Sequence, residues 1–290
     1  MKKVNIIGSG FSSLSAACHL AKRGFEVEVF EKNSTIGGRA RQFKQDGFTF
    51  DMGPSWYWMP DVFERFFEGF GKKVSDYYKL ERLDPGYQVV FGKDDVFPVY
   101  DSIEKIADRF EMEEKGSGRK LISFLNQAKR NYDVAIDDLV YKPGVSPLEL
   151  VTPVTVKNVG LFLTNVRKQV ERDFKSPKLR SLLQFPVLFL GAKPEQTPAF
   201  YNFMNYADFG LGTWHPKGGM IQIVNAMVSL AKELGVRFHT DAPVGEILTK
   251  NKTATGICVE GTFHESDIIV SGADYHHTER LLQASLRGYS

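Results

Sequence analysis

Near the N-terminus, Gly8-x-Gly10-x-x-Ser13 is one residue short of the glycine fingerprint that cradles a dinucleotide pyrophosphate. That chemistry needs a tight turn at Gly8, close approach of backbone to phosphate at Gly10, and a small residue where helix meets strand. Ser13 departs from the pattern by only a hydroxymethyl group, so mild crowding is expected there. Glu31 lies 18 residues past Ser13, the spacing of a carboxylate that binds ribose hydroxyls. A second glycine-rich loop follows, Ile36-Gly37-Gly38-Arg39-Ala40-Arg41. It can wrap an extended dinucleotide, its arginines facing phosphate oxygens or a flavin. The plainer alternatives are a Gly/Ser turn of another α/β protein and a solvated loop with idle arginines.

The elements needed to position these residues are legible around them. Lys3 to Ile7 reads as a short buried strand, and Leu14, Ala17, Leu20 and Ala21 share one helical face. Gly24 suits a helix C-terminus, and 25–30 alternates as a second strand ending at Glu31. This is a βαβ opening. Residues 54–70 are dense in aromatics; 88–100 predicts a hairpin about Gly92-Lys93-Asp94-Asp95. Asp101 with Glu104 resembles a capping box opening a helix to about Arg109. Helical patterns follow over 118–139, 155–172 and 176–190, broken by Pro143, Pro147, Pro153 and Pro177. After Pro216-Lys217-Gly218-Gly219 come a helix (about 219–234), strands at 236–240, 244–249, 254–259 and 268–271, and a last helix from about His276. The expected fold class is α/β: a Rossmann-like βαβ domain over 1–75 and 214–290. A mostly helical insertion with a small antiparallel strand element, over 76–213, interrupts it.

Composition narrows the function. The 290 residues are 42% hydrophobic and 25% charged, enough for a substantial core. The formal charge of +2 argues against a nucleic-acid partner, which demands a basic surplus. Cys18 and Cys258 stand far apart, which excludes a disulfide framework and a zinc–thiolate site and points to a reducing compartment. No histidine has a partner at metal-ligand spacing, so no metal is expected. Neither G-x-S-x-G nor a P-loop occurs, which removes the esterase and NTPase readings. The run Val4–Ala21 behind Met1-Lys2-Lys3 is too polar for a signal core, and no apolar stretch reaches the roughly 18–20 residues of a membrane span. The unusual quantity is the 13% aromatic content, clustered at 56–70 and 182–214, which suits a large apolar ligand or simply a core.

Several blocks in order carry a more specific resemblance. Gly37-Gly38-Arg39-Ala40 is followed by Gly47-Phe48-Thr49-Phe50-Asp51-Met52-Gly53-Pro54-Ser55. Trp214 to Met220, Thr240 to Ile247 and Val270 to Glu279 then follow in turn. Together they resemble the bacterial-type phytoene desaturases (carotenoid desaturases) of the FAD-dependent amine-oxidase superfamily, from residue 4 to the end of the chain.

The resemblance implies FAD bound by Gly8, Gly10, Ser13, Glu31, Gly38, Arg39 and Arg41, with Gly53, Pro54 and Ser55 near the flavin end. It implies that Val244 packs beside the adenine, though a plain buried strand valine fits as well. It further implies desaturation of phytoene or a related long apolar polyene, by hydride removal to the flavin and loss of a neighbouring proton. The expected location is the inner face of the cytoplasmic membrane, peripherally bound. Catalytic residues are not identifiable: His215, His276, His277 and Lys217 are weighed, and none is assigned. Carotenoid isomerases and ketolases share these motifs. A generic NAD(P)-dependent oxidoreductase is the other enzyme reading, and the second glycine loop argues against it. Family members continue past this point to a Gly-Asp-containing flavin contact that does not follow Tyr289-Ser290. The chain therefore resembles the N-terminal part of the family. An incomplete flavoprotein with weak FAD binding and little turnover is the third reading. Oligomeric state is not legible.

Overall fold

A computed structural model describes residues 1–146, 149 and 151–288. Pro147, expected to break a helix, and Tyr289-Ser290 lie outside the described residues. The chain divides into two compact units: Met1–Ser55, Tyr77–Lys79 and Pro216–Ser290 form one, and Trp56–Asp76 with Leu80–His215 form the other.

In the first unit, β1 (Lys3–Ile7), α1 (Phe11–Lys22) and β2 (Glu26–Phe30) make the βαβ opening. A hairpin of β3 (Gln42–Gln45) and β4 (Phe48–Asp51) follows, which the strand pattern had not suggested. The unit resumes with α2 (Ile221–Glu233), β5 (Arg237–His239), β6 (Val244–Lys250), β7 (Thr253–Val259), β8 (Thr262–Glu265), β9 (Ile268–Ser271) and α3 (Tyr275–Arg280). A four-stranded sheet in the order β9-β1-β2-β5 is parallel throughout, with Ile7 opposite both Phe30 and Ser271. A three-stranded antiparallel meander, β6-β7-β8, covers it.

Burial explains the register. Val4 and Ile6 are fully buried in the central strand, and Val27, Val29 and Phe30 are buried on the next. The alternate positions Glu26 and Glu28 pair instead with Arg237 of β5 at 2.5 and 2.7 Å, and Glu28 also meets His239 at 2.5 Å. A one-residue slip would exchange valines for carboxylates, so the alternation specifies the pairing.

The second unit holds the hairpin Tyr87–Gly92 with Asp95–Val99, as its turn residues predict. Its helices pack around Phe97, Phe110, Phe124, Phe174, Leu182 and Phe209, so part of the aromatic surplus is core. Three local expectations shift. The helix Ile103–Glu113 is capped by Ser102, whose Oγ accepts from the Lys105 N–H at 3.3 Å, one residue later than the expected Asp101 cap. The pattern over 155–172 breaks into Pro153–Lys157, Val159–Leu163 and Val166–Asp173, the last capped by the Asn165 side chain. Residues 56–75, expected with the nucleotide-binding part, belong to this unit. Tyr57 bridges to Trp214, Tyr132 donates to Asp61 at 2.9 Å, and Arg65 donates to the Ile136 carbonyl at 3.0 Å.

Candidate functional site

The first unit holds a cleft of about 1060 Å³ lined by Ile7 and Phe30, which end β1 and β2, and by Gly272 just beyond β9. Open parallel α/β sheets bind ligands in the crevice outside the carboxyl ends of their strands. Gly8 takes φ +85 and donates its N–H to the Phe30 carbonyl at 2.8 Å, which turns the chain sharply into α1. Gly10 is the extended N-cap of α1, and a Cβ there would meet nothing within 4 Å, so the backbone faces open space. The first turn of α1 holds no acidic residue. A helix start whose first turn carries no acidic residue is a favourable place for an anion.

The second glycine loop lies directly on the first. The Gly37 N–H donates to the Ser9 carbonyl and to Ser9 Oγ, both at 3.2 Å. A Cβ on Gly38, at φ +58, would stand 2.9 Å from Gly10 Cα, so only glycine fits that crossing. Arg39 and Arg41 line the cleft, and Arg41 is steadied by its Nε bond to the Gly38 carbonyl at 2.9 Å. Gly53 is close-packed for a different reason. A Cβ there would stand within 2.3 Å of the Arg39 carbonyl, so Gly53 supports the arginine loop from behind. Pro54 lines the cleft; Gly53 and the exposed Ser55 do not, and Ser55 Oγ bonds the Gly53 carbonyl at 3.4 Å.

Glu31 is 4% exposed and accepts four hydrogen bonds. Ser9 N–H (3.1 Å) and Ser9 Oγ (2.6 Å) donate to Oε2; Asn33 N–H (3.0 Å) and the Asn33 side-chain amide donate to Oε1. Burial pushes its pKa up, but the bonds from Ser9 and Asn33 outweigh that and leave it below the ordinary glutamate value. The carboxylate is therefore charged at neutral pH.

Ser13 lies outside the cleft lining. It is buried, and its Oγ sits 1.9 Å from where a Cβ on Gly272 would be, without a hydrogen-bond partner. The expected crowding at the third fingerprint position is thus relieved across the β9–α3 connection by a glycine. Val244 lines the cleft at the start of β6, beside a bulge between Val244 and Glu246. Of the weighed groups, His277 lines the cleft with Ala273 and Asp274, whereas His276 and Lys217 do not. Lys217 sits in a turn whose Gly219 meets Asp51, and Asp51 accepts the Met220 N–H at 2.8 Å at the start of α2. Among the described residues no group of three or more His, Cys, Asp or Glu could hold a metal, and no helix is long and apolar enough to cross a membrane.

Reasoning from sequence missed Ser9, Asn33 and Gly272. Ser9 and Asn33 flank recognised positions and could have been flagged as donors for a buried Glu31. Gly272 has no local signal that links it to Ser13.

A parallel βαβ with an open Gly10, an acid-free helix start, two arginines and a buried anionic Glu31 is the architecture of a Rossmann-like α/β unit. These residues fit a nucleotide with a pyrophosphate, and Gly10 is the open cradle that such a group requires. The sequence profile of the flavin containing amine oxidoreductases matches residues 11–287, and the chain belongs to that family. It is 43% identical over 282 residues to a carotenoid 3,4-desaturase of Haloarcula japonica, covering 96% of this chain and 57% of that protein. It is 34% identical to the zeta-carotene-forming phytoene desaturase of Myxococcus xanthus, covering 97% and 55% respectively. An oxidoreductase structure from Methanosarcina mazei shares the fold at TM-score 0.65 and 21% identity, over 97% of this chain and 61% of that one. A putrescine oxidase structure does so at TM-score 0.61 and 17% identity, over 97% and 59%. The chain thus spans somewhat more than half the length of these relatives.

Proposed function

We propose that the cleft binds FAD and that the chain is the cofactor-binding and substrate-side part of a carotenoid desaturase acting on phytoene or a related polyene. The open, acid-free start of α1 at Gly10, faced by a cleft of dinucleotide size, carries the reading. Gly8, Gly10 and the first turn of α1 hold the pyrophosphate, Arg39 and Arg41 offset its charge, and Glu31 serves the ribose. Ser13, with Gly272, keeps α1 against the sheet. Gly38 allows the two loops to cross, while Pro54, flanked by Gly53 and Ser55 outside the lining, shapes the end toward the flavin ring and Val244 the adenine end. Bound flavin supplies hydride acceptance.

The substrate class rests on the two desaturase relatives. It is supported by the second unit's aromatic group, where Trp56 stacks on Tyr87 at 5.0 Å with Phe185 and Phe189 edge-on. Elsewhere in the same unit Val145, Val151 and Leu163 stand exposed, and we assign them to contact with the inner face of a lipid membrane, the source of a hydrocarbon substrate. Liposome flotation tests this assignment; full recovery of protein away from lipid counts against it. Titration with FAD tests the cofactor. Saturable quenching of flavin fluorescence, lost in Arg39→Ala with Arg41→Ala, is expected, and no quenching in the unaltered chain refutes the site.

A second reading is favoured by the 57% and 55% spans of the relatives: cofactor binding with little turnover by this stretch alone. A visible red shift of phytoene incubated with the FAD-loaded chain separates the two, since only turnover lengthens the conjugated system.

A further inference from the structure

We propose that the side chain of Asn33 is an exchangeable cover on Glu31, occupying the carboxylate position that a ribose hydroxyl of an adenine nucleotide takes. The inference rests on the nucleotide reading of the cleft.

A carboxylate offers about four acceptor positions. In Glu31 all four are taken, by Ser9 N–H and Oγ on Oε2 and by Asn33 N–H and the Asn33 amide on Oε1. A ribose hydroxyl has nothing to donate to until one donor leaves. Three of them are fixed. The Ser9 N–H belongs to the turn between Gly8 and Gly10. Ser9 Oγ is fully buried and held from its other side by the Gly37 N–H at 3.2 Å. The Asn33 backbone is stapled to the start of the meander: its carbonyl accepts the Asp241 N–H at 3.1 Å, and the Glu31 carbonyl accepts the Ala242 N–H at 2.9 Å. Of the two side-chain donors, Ser9 Oγ is clamped by the Gly37 N–H, which leaves the Asn33 carboxamide, in the lining of the cleft, as the one to rotate. Rotation of that side chain opens one position on Oε1 without disturbing either glycine loop. In the ligand-free protein the same amide fills the fourth acceptor position of a buried anion, so the cover stabilises the empty site and competes with ribose.

The test compares ADP with 2′,3′-dideoxy-ADP, by calorimetric titration of the full chain and of Asn33→Ala. Removing the competing amide favours only a ligand that carries ribose hydroxyls. The preference for ADP over the dideoxy compound is therefore expected to rise about three- to tenfold in the variant, the net scale of exchanging one hydrogen bond for another. An unchanged preference, with ADP still bound by both proteins, overturns the cover alone. Failure of the unaltered chain to bind ADP overturns the nucleotide reading and the cover with it. If the alanine variant does not fold, Asn33→Ser, which shortens the donor, reads the same ratio.

Discussion

Two buried carboxylates, one in each unit, behave in opposite ways. Glu31 in the first unit receives four donors and stays ionised below its ordinary pKa. Asp208 in the second is 1% exposed and, among the described residues, receives one bond, from Tyr87 Oη to Oδ2 at 2.5 Å, while its Oδ1 has no partner there. Burial drives its pKa up, the Tyr87 bond only partly opposes this, and the net value is about 8. Nearby in sequence, both polar atoms of the fully buried Asn205 side chain also lack partners. Burial alone thus does not decide charge: the count of donors does, and a carboxylate needs several to remain an anion in a dry interior.

The comparison can be broken most forcefully at Glu31. Glu31→Ala leaves the Ser9 and Asn33 donors unanswered and is expected to cost about 3 kcal/mol, read by urea denaturation, with loss of FAD binding. A cost below about 1 kcal/mol would show that the four bonds do not hold the loop. Next in size, Gly272→Ala forces a Cβ onto Ser13 Oγ and should cost about 2 kcal/mol, with most of the loss recovered when Ser13→Gly is added. Additive losses in that double-mutant cycle would sever the proposed pairing.

At Asp208 the effect is in the pH profile. A carboxyl with a folded pKa raised from 3.8 to about 8 binds a proton in the native state that the unfolded chain has released, so stability falls as pH rises across that window. Asp208→Asn should remove this downward slope, gaining on the parent by roughly 1.4 kcal/mol for each pH unit crossed toward the top of the window. Parallel profiles for the two proteins would mean that Asp208 is ionised in the fold. For Glu31 the sign is reversed, because its contribution is present above the unfolded glutamate pKa and is lost as pH falls through the lower folded value. The smallest effect is expected at Arg237→Ala, which removes exposed pairs with Glu26 and Glu28 and should change stability by less than about 1 kcal/mol.

Much of the first unit was legible in advance because its determinants are local. Two apolar strands about a helical face, Gly8 and Gly24 at positive φ, and Glu31 at the end of β2 all declare themselves within a few residues. The second unit leaves a fainter pattern in its sequence. Its helical pattern over 155–172 breaks into three pieces, and the short hairpin β3–β4 of the first unit escaped notice.

By itself the sequence determined the βαβ opening, the two glycine loops and the place of Glu31 just past the end of β2. Turn conformation, strand alternation and helix periodicity act over short spans of chain, so they leave a readable pattern. Tertiary structure alone decided that Gly272 makes room for Ser13, that Ser9 and Asn33 saturate Glu31, and that residues 56–75 belong with the second unit. Those outcomes depend on which atoms meet across distant stretches of chain or within a single side-chain rotation, and composition and spacing carry neither.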